Sequence, residues 1–252
     1  MSKPLIFSLR PEPDCSEDVV LLTGAGIEAK PLPMMVVKGD YAKLDEALET
    51  VGHRPETEII ITSKQSARML SAYQKSATFR RKRIWCVGTG SAEILWQAGF
   101  IQVEVGKADA AGLLEEIDAS NVAKKPNLLW LSGADIAFDI EKGLRSRGHR
   151  ATRVITYQSM PYVPECQHLL DSLSAGRLVA AIAMSARTIT LFHEMLAHQK
   201  MMAKSSSPIL LVQSSAQAEK AESLGFSWVC AEGQGRKALL ACVAEWVQRR
   251  MR

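Results

Sequence analysis

The chain has 252 residues, 47% of them apolar and 23% charged, with a net charge of +4. That is ample apolar material for packed cores, in a length that fits one large α/β domain or two small ones. The basicity is mild and aromatics make up only 6%, so a stacking surface for single-stranded nucleic acid is not indicated, whereas a small anion suits the charge. Cys15, Cys86, Cys166, Cys230 and Cys242 form no C-x-x-C pair and no zinc spacing, and such a scattered set reads as reduced thiols of a cytoplasmic protein. The apolar run before Arg10-Pro11 is too short for a signal sequence, and no later segment has the length of a membrane span.

In chain order, Leu5–Leu9 is expected as a short strand, followed by a helix through Leu22 with Asp14 or Ser16 as N-cap and Gly24 or Gly26 closing it. Pro31 and Pro33 confine the next extended segment, Ile27–Val37, to a sheet edge or a linker. Tyr41–Thr50 has helical spacing. Glu58–Thr62 and Ile84–Val87 are apolar strands, each leading into a helix, and Val103–Val105 and Ala110–Ile117 continue the alternation. Leu128–Leu131 is a strand. Ile136, Ile140 and Leu144 then repeat at helical spacing until Gly148, with Asp135 as the expected N-cap. Arg153–Tyr157 is a strand running into the connector Pro161–Pro164. Ala180–Met184 and Ile209–Val212 are strands again followed by helices, and Lys237–Val247 packs through Leu239, Leu240, Val243 and Val247.

One phrase recurs in this order: an apolar strand, a hydroxyl-bearing loop, then a helix. It appears at Ser63 and Ser91 in the first half and at Ser185 and Ser214-Ser215 in the second, with similar spacing. Each instance puts hydroxyls and unpaired N–H groups at the positive end of a helix, where anions are favoured. The duplication predicts two similar domains of parallel sheet flanked by helices, joined by two extended linker strands, with an anion-holding cleft between them. The boundaries follow from the proline connectors: residues 1–36 and 160–252 as a discontinuous domain, 42–152 as an inserted one, and 37–41 and 153–159 as linkers.

Other chemistries are poorly supported. Gly88-Thr89-Gly90 sits at a strand-to-helix turn, but Glu93 occupies the place of the third glycine of a dinucleotide motif. There is no P-loop and no G-x-S-x-G elbow. His193 and His198 lie five apart on one expected helix, hence on different faces, and the serines fit caps and anion donors better than nucleophiles. The basic run Phe79–Arg83 reads as a solvated loop. Tyr157 stands where a strand leaves the repeat beside the expected cleft, and half-buried packing and a functional role are both open to it.

These residues resemble the uroporphyrinogen-III synthases of tetrapyrrole biosynthesis. The resemblance is carried by Arg10-Pro11, Gly26 with Pro33, Thr62-Ser63 with Ala67, Val87-Gly88 with Ser91-Ala92, the Ile155-Thr156-Tyr157 exit, Ser185, and Ser214-Ser215-Ala216 before Gly225. Two departures stand out. Val212-Gln213 replaces a Gly-Pro, and the loop Ser132-Gly133-Ala134-Asp135 lacks the basic residue found there in many members. The resemblance implies a cofactor-independent, cyclising hydro-lyase without a metal. It would close hydroxymethylbilane, a linear tetrapyrrole carrying acetate and propionate arms, to uroporphyrinogen III with inversion of ring D and loss of water. It further implies Tyr157 as the catalytic group. Arg10, Thr62, Ser63, Gly88, Ser91, Gly133, Ser185, Ser214 and Ser215 would contact the substrate. A monomer with no nucleic-acid or membrane partner is expected. The competing reading is a non-catalytic two-domain sensor of a small anionic ligand.

Overall fold

The structure, a computed structural model, describes residues 3–106, 109–121, 126–201, 207–233 and 235–251. The chain forms two compact units, Met1–Val36 with Met160–Arg252, and Val37–Ser159.

The first unit is built on five parallel strands: β1 (Leu5–Ser8), β2 (Ala29–Pro31), β9 (Val179–Ile182), β10 (Ile209–Val212) and β11 (Trp228–Cys230), in the order β11-β10-β9-β1-β2. β2 is an edge strand, as its proline requires. Successive side chains alternate between two cores. Leu5, Phe7, Ala181, Leu210 and Val212 pack against α8 (Gln167–Ser174), α9 (Ala186–His198) and α10 (Ser215–Ser223). Ile6, Ala180, Ile182 and Leu211 pack against α1 (Asp14–Gly24) and α11 (Gly235–Met251). Continuous apolar runs are what a parallel strand buried on both faces needs.

The second unit has six strands: β3 (Met35–Gly39), β4 (Thr57–Ile61), β5 (Arg83–Cys86), β6 (Gln102–Val105), β7 (Asn127–Gly133) and β8 (Arg150–Pro161), in the order β3-β8-β7-β4-β5-β6. The five from β8 to β6 are parallel. Ile59, Ile61, Ile84, Cys86, Leu129 and Leu131 face α2 (Tyr41–Ala47), α3 (Lys64–Ala72) and α5 (Thr89–Gln97). Ile60, Trp85, Leu128 and Trp130 face α6 (Ala110–Asn121) and α7 (Ile140–Ser146). Ile59, Ile60 and Ile61 are all fully buried, each contributing about 1.5–3 kcal/mol. A short α4 (Ser76–Phe79) precedes β5.

The two sheets share one plan in a different chain order. The run β9-α9-β10-α10-β11 matches β4-α3-β5-α5-β6, and β1-α1-β2 matches β7-α7-β8, so the first unit is a permuted version of the second. Each has a switch point where the connections diverge to opposite faces: between β9 and β1 in one, between β4 and β7 in the other. Ligands of open α/β sheets bind outside the carboxyl ends of the strands at such points.

Several local expectations are corrected. α1 begins at Asp14; its N-cap is Pro13, which has no side-chain acceptor, and Glu12 Oε2 accepts from Ser16 N at 3.2 Å. α7 starts at Ile140 and its N-cap is Asp139, whose carboxylate accepts from Lys142 N at 3.0 Å; Asp135 remains in the loop before it. The helix expected over Tyr41–Thr50 finishes as a π-helical turn, Leu48–Gly52. Of the extended linker strands expected over 37–41 and 153–159, residues 37–39 lie in β3 and 153–159 in β8, and β8 stays bonded to β7 as far as Tyr157. Gly99 and Gly225, at φ of 85° and 81°, close α5 and α10 in the left-handed conformation that glycine adopts without strain.

Candidate functional site

The carboxyl edge of the second unit gathers Thr62, Ser63, Gly88, Ser91, Gly133 and Tyr157. Ser63 is extended, at φ −148° and ψ 150°, and caps α3 by accepting from Ser66 N at 3.1 Å. Thr62 Oγ1 accepts from the indole Nε1 of Trp130 at 3.1 Å, tying β4 to β7 at the switch point. Gly88 is the N-cap of α5 and brings no side chain, so no side-chain oxygen caps that helix, and Ser91 N donates to Gly88 O at 3.1 Å. Ser91 is the third residue of α5, within its first turn, and is only 6% exposed, a packed residue and not a cap.

Tyr157 reaches this edge through an irregularity. Ser132 pairs with Ile155 but Gly133 pairs with Tyr157, so β8 carries one extra residue, Thr156, at this point. Ala151 packs with Trp130, whereas Val154 and Tyr157 pack with Leu131 on the opposite face. Strict alternation would have put Tyr157 on the face of Ala151 and Arg153; the bulge turns it toward α3. There its ring lies against Gly133, where a Cβ would fall 2.6 Å from Cζ of the tyrosine. Burial raises the phenol above its usual value of 10, the nearby Ser63 hydroxyl opposes this, and the charge of Asp135 adds to the rise. The group is a neutral donor at physiological pH.

Two cations here were not singled out from the sequence. The side chain of Lys64 crosses the first turn of α5, since a Cβ on Gly90 would fall 2.6 Å from its Cε. A positive charge therefore joins two helix N-termini at this edge. Arg153 supplies a guanidinium to the loop after β7, donating from Nη2 to the carbonyls of Gly133 and Ala134 at 2.7 and 2.9 Å. The loop lacks a basic residue of its own, and only the strand pairing reveals the one that serves it.

In the first unit Ser185 caps α9, accepting from Thr188 N at 3.1 Å, and Ser214 caps α10, accepting from Gln217 N at 3.4 Å. Ser215 is the first helical residue and is exposed. Gln213 has a structural use: its Oε1 accepts from Gly235 N at 3.1 Å, and its own N–H donates to Gln217 Oε1 at 3.0 Å. Gln217 in turn donates to Met184 O at 2.9 Å, so two amides staple three loops. Arg10 is 8% exposed and held inside the unit, with Nη2 at 2.8 Å from Asp14 and Nη1 at 3.0 Å from Asp18. Asp18 also accepts from Ser8 Oγ at 2.8 Å and from Arg236 Nε at 2.7 Å.

Among the described residues no group of three or more His, Cys, Asp or Glu is arranged to hold a metal ion, and no helix is long and apolar enough to cross a membrane.

No curated protein matches the chain by sequence. Among solved structures, it is similar to a uroporphyrinogen-III synthetase from Helicobacter pylori, with 14% identity over 97% of this chain and 100% of that one and a TM-score of 0.57. It is also similar to a mutant uroporphyrinogen III synthase from the extremely thermophilic bacterium Thermus thermophilus, with 13% identity over 98% and 99% and a TM-score of 0.52. At such identities these likenesses establish the fold. The family model described as uroporphyrinogen-III synthase HemD matches residues 16–241. With nearly the whole chain matched, and with a two-unit parallel α/β fold of the same kind, this chain belongs to the uroporphyrinogen-III synthase family, whose members are cofactor-independent cyclising lyases of haem biosynthesis.

Proposed function

We propose that the carboxyl edge of the Val37–Ser159 unit holds hydroxymethylbilane during its closure to uroporphyrinogen III, and that Tyr157 assists departure of the hydroxyl. The observation that carries this assignment is the phenol of Tyr157, packed on Gly133 where the pairing of β7 with β8 ends. The leaving hydroxyl sits on an electron-rich pyrrole. As the C–O bond breaks, electron density from the ring forms an azafulvene, and a phenolic hydrogen bond stabilises the charge growing on oxygen. Attack by the substituted carbon of the terminal ring forms the spiro intermediate, which reopens and recloses to invert that ring.

Selectivity then depends on holding the acetate and propionate arms. The open N-terminus of α5 at Gly88 and the ammonium of Lys64 suit carboxylates, and positioning of this kind accounts for several kcal/mol of barrier. Ser185 and Ser214 offer the same chemistry in the other unit. We further infer a monomeric, cytoplasmic enzyme acting on a small linear tetrapyrrole, without a nucleic-acid partner.

The test is to supply hydroxymethylbilane to the purified protein in chelator-treated buffer and separate the isomers formed. Uroporphyrinogen III, made faster than spontaneous closure, supports the assignment. The symmetric isomer alone, at the spontaneous rate, overturns it in favour of a ligand sensor.

A further inference from the structure

Arg153 lies on β8 four residues before Tyr157, and the reaction as argued above makes no use of it. Its guanidinium grips the loop that leaves β7. Nε donates to Ser132 Oγ at 2.8 Å, and Nη2 donates to Gly133 O at 2.7 Å and Ala134 O at 2.9 Å. The guanidinium carbon stands 5.2 Å from the centre of the Trp130 ring, the ring whose indole N–H is bonded to Thr62. The backbone N–H of Arg153 donates to Glu141 Oε1 at 3.2 Å, anchoring the same point to α7.

The loop that Arg153 grips is also the one that seats Tyr157. Ala134 N donates to Tyr157 O at 2.9 Å, and the absent side chain of Gly133 makes the space that the phenol ring fills. Thr156, the inserted residue of the bulge, is fully buried and donates to Ser132 O at 3.2 Å. The bulge that turns Tyr157 toward α3 is thus closed on one side by the tyrosine and on the other by the arginine. A planar fork can serve three acceptors spread over three consecutive residues; a lysine ammonium at the end of its stem cannot match that geometry. The fork also covers two carbonyl dipoles at an edge argued to receive carboxylates.

We propose that Arg153 is a positioning residue for Tyr157, clamping Gly133 and Ala134 so that the bulge holds the phenol over Gly133. The proposal rests on the reading of Tyr157 as the group that assists hydroxyl departure, and its test separates the two.

Four variants are compared with the parent: Arg153→Gln, Arg153→Lys, Tyr157→Phe, and Arg153→Gln with Tyr157→Phe together. Turnover, KM and melting temperature are measured for each. Ionisation of Tyr157 is isolated by tyrosinate absorbance differences between proteins with and without the phenol. Arg153→Gln is expected to lower kcat about ten- to a hundredfold, the scale of a misplaced reacting group, with KM little changed. Its phenol should ionise at lower pH than in the parent, as burial and placement loosen. Arg153→Lys should fall in between, and it serves as the informative variant if the glutamine form folds poorly. The double variant should be no slower than Tyr157→Phe alone, because the arginine acts through the tyrosine.

Losses that multiply in the double variant, or an unchanged phenol titration in both arginine variants, would overturn the proposal. Full turnover in Tyr157→Phe with a shifted titration in Arg153→Gln would instead leave the clamp standing and remove the role given to Tyr157.

Discussion

The ring of Tyr157 occupies the volume that a side chain on Gly133 would need: a Cβ there would stand 2.6 Å from Cζ and 2.8 Å from the hydroxyl oxygen. Glycine is therefore required by close approach and not by backbone conformation. Gly133→Ala should displace the phenol, cost about 1–3 kcal/mol of stability as overpacking does, and lower turnover as far as Tyr157→Phe does. Chemical denaturation and steady-state kinetics on the one variant check both parts. Parental turnover would mean that the ring can shift without consequence.

Tyr157→Phe keeps the volume and removes only the donor. Turnover should fall roughly ten- to a thousandfold while the melting temperature hardly moves. The pH dependence has a definite sign. The folded protein raises the phenol above 10, chiefly by burial, so it favours the protonated form. That contribution to stability is complete below the unfolded value and is lost as pH rises through the folded one. Activity should therefore hold through neutral pH, with an alkaline limb above pH 10 that vanishes in the phenylalanine variant. Equal turnover in the two proteins would reduce Tyr157 to a packing residue.

Arg10 is held by Asp14 and Asp18 within its own unit. Arg10→Met removes the cation from two carboxylates that are almost wholly buried, a kind of change that costs roughly 3–5 kcal/mol when one partner of a buried pair is removed. The remaining bonds from Ser8 and Arg236 to Asp18 should keep the loss toward the lower end. KM of the folded fraction should be unchanged. A raised KM with normal stability would restore Arg10 to the substrate.

Lys64 is expected to act on binding before chemistry. Lys64→Met keeps the apolar stem over Gly90 and removes the charge; KM should rise several-fold with kcat nearly constant, and the effect should shrink in high salt. A fall in kcat alone would contradict a purely anchoring role.

The hydroxyl residues should separate by their place at the helix ends. Ser63→Ala and Ser185→Ala remove caps worth about 1 kcal/mol each. Ser215→Ala, exposed and past the cap, should change stability by less than about 0.5 kcal/mol. Thermal melts of the three variants check the ranking, and a large effect at Ser215 would reveal a contact beyond capping.

The strand–serine–helix phrase was legible because capping is local: a serine in extended conformation, three residues before an N–H that needs an acceptor, is written within one turn of chain. Ser63, Ser185 and Ser214 cap for that reason. The apolar runs of the parallel strands, the edge position of Pro31 and the glycine stops were equally local. Ser91 was misplaced because Gly88 begins the helix earlier than a search for hydroxyls suggests, and Asp135 because Asp139 supplies the better cap. What faces what belonged to the tertiary structure. No spacing rule gives Arg10 to Asp18 across a helix, lays Lys64 over Gly90, or brings Arg153 to the carbonyls of another strand's loop. Above all, period-two alternation assigns Tyr157 to the wrong side of its sheet. One extra residue at the β7–β8 register reverses that assignment, and register is set by pairing between strands distant in sequence, a long-range choice that the local pattern does not contain.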